Sequence, residues 1–160
     1  MIRPATAADA PAICAIYNHH VLNTPVTFEE TAISDGEMAA RIAEIRPAFP
    51  WLVFERDGRV AAYAYASRWK TRSAFRYCVE TTVYVDQAAV RSGIGSRLYA
   101  HLIADLRALS LHSLIAGIAL PNAGSVALHE KFGFRKVAHF EQVGWKFNQW
   151  IDVGYWELIL

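Results

Sequence analysis

The stretch Thr81-Thr82-Val83-Tyr84-Val85, followed by Val90-Arg91-Ser92-Gly93-Ile94-Gly95-Ser96 and then by Arg97 to Leu109, reads as a strand, a glycine turn and a helix. Glycines two residues apart let backbone N–H groups turn toward one anion, and a helix opening there adds the positive end of its macrodipole. The segment predicts a cradle for a pyrophosphate and so a nucleotide-bearing cofactor. A dinucleotide fold wants a third glycine where Leu98 stands, and a P-loop wants Gly-Lys-Ser/Thr after a longer loop. NAD and ATP are therefore poorly served. A Gly-x-Gly after a strand is also an ordinary tight turn, so its neighbours decide.

Outward from the turn, Ile94, Leu98, Leu102, Leu106 and Leu109 repeat at helical spacing. Ser113 to Leu120 is apolar enough for a strand covered on both faces. Returning to it from strand Val79 to Val85 through a helix makes a βαβ crossover, hence a parallel pair. Asn122 can cap a helix to about Phe132 that Gly133 ends, and Phe134 to Val143 and Tyr155 to Leu160 read as further strands. Upstream, Thr6 and Asp9 pair before a helix from about Ala8 to Leu22 that shows Ile13, Ile16, Tyr17 and His20 on one face. Ser34-Asp35-Gly36-Glu37 is a capping box for a helix turning Met38, Ile42 and Ile45 inward before Pro47. Trp51 to Glu55 and Val60 to Ala66 read as strands joined by an Asp57-Gly58 type I′ hairpin. The sum is an α/β fold, a mixed sheet with helices on both faces.

The 160 residues fit one domain, 1–160, with no repeat and no linker. Sixteen Lys and Arg balance 15 Asp and Glu for a net charge of +1, which argues against nucleic acid or a membrane surface as a partner. Cys14 and Cys78 form no CxxC, and the histidines show no HExxH spacing, so free buried thiols, a cytoplasmic setting and no metal are expected. No apolar run reaches membrane-spanning length, and Met1-Ile2-Arg3-Pro4 leads directly into a capped helix without signal-peptide character.

This order of elements, with the glycine turn and the Asn122 to Phe134 segment, resembles the GNAT superfamily of acetyl-CoA-dependent N-acetyltransferases along the whole chain. Within it, five segments resemble the phosphinothricin N-acetyltransferase family: Trp69-Lys70-Thr71-Arg72, Val79-Glu80-Thr81-Thr82-Val83-Tyr84-Val85, Leu120-Pro121-Asn122, Ser125-Val126-Ala127-Leu128-His129-Glu130 and Trp150-Ile151-Asp152-Val153-Gly154. The resemblance implies a mostly antiparallel central sheet with a parallel βαβ at the cofactor site, acetyl-CoA as co-substrate, and a homodimer. It also implies a small-molecule amine acceptor such as phosphinothricin, methionine sulfoximine or methionine sulfone. One departure stands in the turn, where the superfamily's usual Gln or Arg is Val90 with Arg91 beside it. The backbone cradle of Arg91, Ser92, Gly93, Ile94, Gly95 and Ser96 does not depend on that side chain.

Acetyl transfer to an amine needs a base for the amine, a donor for the thioester oxygen and a proton for the leaving thiolate. Glu80 points to the opposite strand face from Val79 and Val83 and can take the amine's proton; its plainer role is a structural hydrogen bond. By resemblance, the Val83 amide faces the acetyl carbonyl and that of Val85 the pantetheine arm, with Tyr84 between them. His129 stands where many superfamily members carry tyrosine, and an imidazole can act as base or acid near neutral pH. Asn122 and, more weakly, Ser125 are candidates for the pantetheine or thiol end, Asn122 being equally an N-cap. Acceptor selection falls to Phe28, Lys70, Arg72 and Tyr77, where a cation can bind a carboxylate, phosphinate or sulfone oxygen or merely be solvated. Lys146 and Trp150 line either the pocket or a dimer seam. Neither cysteine sits in a nucleophile motif, which favours direct attack in a ternary complex. Two rivals stay open: a GNAT acting on an aminoglycoside, polyamine or peptide N-terminus, and a catalytically silent acyl-CoA-binding regulatory domain.

Overall fold

Strand β1 (Ile2–Pro4) leads through a short 3₁₀ turn (Ala7–Asp9) into α1 (Ala10–Asn23), which begins two residues later than its sequence suggests. The Asp9 carboxylate is the reason for the delay. It accepts from the Thr6 backbone N–H at 2.7 Å and from the Thr6 hydroxyl at 3.0 Å, and it holds Arg3 through two 2.8 Å bonds, so the chain tightens before the α-helix starts. The computed structural model describes residues 1–90 and 92–160; Arg91, one of the cradle residues named above, lies outside the described residues.

Helix α2 (Asp35–Ile45) opens on the expected box. The Ser34 hydroxyl accepts from the Glu37 N–H at 3.2 Å, and the Glu37 carboxylate accepts from the Ser34 N–H at 2.7 Å. Met38 and Ile42 are buried, whereas Ile45, at the helix end, is only half-buried. Strands β2 (Trp51–Arg56) and β3 (Arg59–Arg68) pair antiparallel, and Asp57 and Gly58 both take positive φ, 52° and 73°, as a type I′ turn requires.

Strand β4 (Cys78–Val85) and β5 (Ser113–Leu120) are parallel, with Cys78, Val79 and Glu80 opposite Ser113, Leu114 and Ile115. Between them in sequence runs α3 (Ile94–Ala108), which starts three residues before Arg97. Ile94, Leu98, Leu102 and Leu106 are buried as their spacing predicts, but Leu109 is half exposed because it lies past the last helical residue. Helix α4 (Ala123–Lys131) is followed by β6 (Arg135–Lys146) and β7 (Gln149–Ile159). Here the sequence reading is corrected: β6 runs to Lys146 and β7 starts at Gln149, six residues before Tyr155. The join is Phe147-Asn148, with φ of 51° and 57°, a positive-φ turn made without glycine. The seven strands follow the order β1-β2-β3-β4-β5-β7-β6.

The packing separates into two compact units. One comprises Met1–Asn18, Ile33–Ser67 and Thr81–Ser110. Its interior joins Ile13 of α1, Met38 and Ile42 of α2, Leu52 and Val53 of β2, and the buried face of α3, with Trp51 stacked on Tyr65 at 4.1 Å. Thr81 and Tyr99 share a 2.7 Å hydrogen bond that ties β4 to α3. The other unit comprises His19–Ala32, Arg68–Glu80 and Leu111–Leu160, cored by Val79, Leu114, Ile118, Phe134, Ile151, Val153 and Trp156. Cys14 is buried, while Cys78 is half-buried rather than buried, and the two thiols are unpaired. No helix among the described residues is long and apolar enough to cross a membrane.

Candidate active site

At the end of β4, Asp86 caps a 3₁₀ turn (Gln87–Ala89) by accepting from the Ala88 N–H at 2.8 Å, and Val90 stands exposed. The Ser92 hydroxyl donates to the Ala89 carbonyl. Gly93 then takes φ 77°, the left-handed region that suits glycine, and becomes the N-cap of α3. The bend aims the N–H groups of Ile94, Gly95 and Ser96 out of the helix start, and the first turn carries no acidic side chain to compete for an anion. Gly95 is needed for proximity: a Cβ there would stand 3.1 Å from Val85 Cγ2. Ile94 is buried, so it offers the turn its amide alone. Tyr84 has its ring stacked 5.4 Å from Tyr63 and edge-on to Tyr17 at 5.5 Å; its side chain belongs to an aromatic cluster.

Glu80 lies at the parallel ladder, half-buried, opposite Ile115. Burial raises its carboxyl above the ordinary value of 4.5, and the charge of Lys70 pulls the other way. Among the described residues, burial and the Lys70 charge are the two influences on it. Around Glu80 the walls are aromatic. Gly117 of β5 pairs with Tyr155 of β7, and a Cβ on Gly117 would stand 3.1 Å from the Tyr155 ring and 3.4 Å from Glu80 Oε1. Tyr155 packs edge-on against Trp69 at 5.5 Å and Phe140 at 5.8 Å. Burial, and then the Glu80 charge, raise its phenol above the ordinary value.

Sequence reasoning missed Gly117 and Tyr155. A glycine inside an apolar strand was the available signal, since it marks a place where something approaches closely.

On α4, the Asn122 side-chain oxygen accepts from the Ser125 N–H at 3.1 Å, which confirms the N-cap. One turn on, His129 is 3% exposed and its Nδ1 lies 2.7 Å from the Ser125 carbonyl oxygen. A carbonyl only accepts, so Nδ1 carries the proton and Nε2 holds the lone pair of the neutral ring. Burial lowers the His129 pKa below 6.5, and the Ser125 carbonyl partly opposes it. The ring also stands edge-on to Phe134 at 5.3 Å.

The four acceptor candidates separate. Lys70 is exposed, its Nζ 4.7 Å over the Trp69 ring. Arg72 is exposed and precedes a 3₁₀ turn (Ser73–Phe75), its carbonyl accepting from the Phe75 N–H at 3.0 Å. Tyr77 is exposed beneath the Arg76 guanidinium at 4.5 Å. Phe28 is 42% exposed and lies over Gly144. Lys146 lines no solvent-facing wall: it is buried, bonded to the carbonyls of Thr24 and Thr27. Trp150 is 60% exposed. Among the described residues, no three His, Cys, Asp or Glu side chains converge as metal ligands.

Residues 2–154 match the acetyltransferase (GNAT) domain family. Over 156 residues the chain is 42% identical to phosphinothricin N-acetyltransferase of Streptomyces viridochromogenes, covering 98% of this chain and 85% of that protein. It is 39% identical over 160 residues to the L-methionine sulfoximine/L-methionine sulfone acetyltransferase of Salmonella typhimurium, covering 99% and 94%. Its backbone superposes on the crystal structure of a GNAT phosphinothricin acetyltransferase from Sinorhizobium meliloti in complex with acetyl-CoA, with a TM-score of 0.96, 36% identity, and coverage of 100% and 88%. Strand order, glycine turn and sequence agree: this chain belongs to the GNAT acetyltransferase family.

Proposed function

We propose that the chain, acting as one domain over residues 1–160, acetylates the amine of a small amino acid with an anionic or strongly polar side chain. Phosphinothricin, methionine sulfoximine and methionine sulfone are the acceptors named by its relatives. The observation that carries this reading is the placing of Glu80: a half-buried carboxylate on β4 whose Oε1 closes on Gly117 beside the Tyr155 ring, its pKa raised by burial. An amine must lose a proton to attack, and a carboxylate whose pKa is raised by burial is suited to take it, directly or through a water.

The cradle fits the diphosphate of acetyl-CoA. The amides of Ile94, Gly95 and Ser96, with Ser92 and Gly93 shaping the bend, would hold it, and Arg91 is assigned to it from the sequence. Acetyl-CoA supplies the acyl group as an activated thioester. The Val83 and Val85 amides are proposed to line the acyl and pantetheine arm, and Asn122 and Ser125 the thiol end. His129, kept neutral by burial with its proton on Nδ1, is proposed to serve the proton transfers of the reaction as base or acid. Phe28, Lys70, Arg72 and Tyr77 are proposed to select the acceptor, the cations meeting its anionic or sulfone oxygens.

A homodimer is proposed on the β6–β7 hairpin, where Val137, Val143, Trp145, Phe147 and Trp150 are exposed. Light scattering reads it: a solution mass of one chain rejects the dimer. The two unpaired thiols suit a cytoplasmic setting.

A thiol-release assay over an amino-acid, aminoglycoside, polyamine and peptide panel tests the function. Turnover confined to cationic acceptors rejects the amino-acid reading. Tight acetyl-CoA binding with no turnover on any amine identifies a silent module instead.

A further inference from the structure

Lys146, on β6, is 2% exposed, a rare position for an ammonium. Its Nζ donates to the carbonyls of Thr24 at 2.9 Å and Thr27 at 2.7 Å and sits 5.0 Å over the Phe147 ring. Burial lowers its pKa, and the Glu30 carboxylate opposes that shift. Gly144, two residues earlier and so on the same strand face, has no side chain because the Phe28 ring fills the place. A Cβ there would meet Phe28 Cε2 at 2.5 Å and Cζ closer still. Gly144 does not take positive φ, so this packing and not the backbone excludes a side chain. The segment from Thr24 to Phe28 is thus gripped twice by one strand, by its carbonyls and by its ring. It counts with the unit that holds Glu80, Trp69, Lys70, Arg72 and Tyr155.

We infer that Lys146 and Gly144 are positioning residues for acceptor recognition, clasping the Thr24–Phe28 segment so that the half-exposed Phe28 ring is a fixed wall against the acceptor's side chain. The inference rests on the reading of the chain as an amino-acid N-acetyltransferase. A loosened wall must be ordered each time an acceptor binds, which weakens acceptor binding and leaves acetyl-CoA binding alone. Removing the ammonium takes a hydrogen bond from each of the two carbonyls; adding a methyl at Gly144 displaces the ring.

The test compares Lys146→Met, Gly144→Ala, Phe28→Ala and the double variant Gly144→Ala/Phe28→Ala by amide exchange, acceptor KM with methionine sulfone, and acetyl-CoA affinity. Faster exchange confined to residues 24–30, with acceptor KM raised about tenfold, kcat lowered less than KM is raised, and acetyl-CoA affinity unchanged, is expected for Lys146→Met and Gly144→Ala. In the Phe28→Ala background, Gly144→Ala should add nothing, because its effect passes through the ring. Unchanged acceptor KM in an active enzyme overturns the inference. So does a Gly144→Ala effect that survives without the Phe28 ring. If Lys146→Met does not fold, the Gly144 and Phe28 pair decides alone. A wild type that acetylates no amino acid overturns the underlying activity, and the exchange measurement then distinguishes that outcome from loss of the clasp.

Discussion

Glu80 and Gly117 are diagonal neighbours on one face of the parallel β4–β5 ladder, with the carboxylate 3.4 Å from where Gly117 would carry a Cβ. Tyr155 fills the opposite side of that gap, 3.1 Å from the same point. The missing side chain lets a carboxylate and an aromatic ring close on the same point, with no room for a Cβ between them.

Gly117→Ala should therefore crowd Glu80 and Tyr155 together. Displacements of a few tenths of an ångström at reacting groups are felt strongly, and kcat/KM should fall by about tenfold to a hundredfold. Acetyl-CoA affinity, measured by calorimetry, should not change. A variant as active as the wild type would show that the gap is not part of the site.

Glu80→Gln should lower kcat by a factor on the order of 10² or more with acetyl-CoA affinity retained. It should also raise Tm at pH 7. A carboxyl whose folded pKa exceeds its unfolded value adds stability below 4.5 and loses it as pH rises through the raised value. The native state thus carries a penalised charge at neutral pH that glutamine removes. Thermal scans from pH 4 to 8 should show the Tm difference growing with pH, and kcat/KM of the wild type should fall as Glu80 is protonated.

His129 works in the other direction. Its folded pKa lies below the ordinary 6.5, so its contribution to stability is complete above that pH and is lost as pH falls through the lowered value. His129→Gln should flatten the Tm profile in this window. An unchanged profile would mean the ring charges in place.

Gly93→Val should weaken acetyl-CoA binding about tenfold or more, since a β-branched residue resists φ 77° by roughly 1–2 kcal/mol and the bend must open. Gly93→Asn, which tolerates that conformation better, should recover part of the affinity. Equal affinity in all three proteins would remove the bend from the binding site.

Features set by neighbours in sequence were legible in advance. The Ser34 box, the Asp57-Gly58 turn, the Asn122 cap and the βαβ crossover each depend on contacts within a few residues or on one periodicity. What escaped was nonlocal or unmarked. The start of β7 was missed because Phe147 and Asn148 turn the chain with no glycine to announce it, and Asp152 and Gly154 interrupt the strand pattern. Lys146 read as a pocket or seam residue because its acceptors lie 122 and 119 residues away. Leu109 kept the helical phase but fell beyond the helix. Of the candidate site, the Glu80 carboxylate and the glycine bend could be named from the sequence; the close approach at Gly117 needed β5 and β7 in register.

Acid should dissect this molecule. Asp9, clamped by Arg3, keeps its charge down to about pH 2, so the brace between β1 and the turn that leads into α1 outlasts mild acidification. The unit that holds His129 has an ion pair of its own, His139 with Asp152 at 2.7 Å, but the buried ring costs it stability as pH falls below 6.5. A slow titration followed by tryptophan emission should accordingly pass through a plateau, with the Trp145, Trp150 and Trp156 side unravelled while Trp51 still reports a native surrounding.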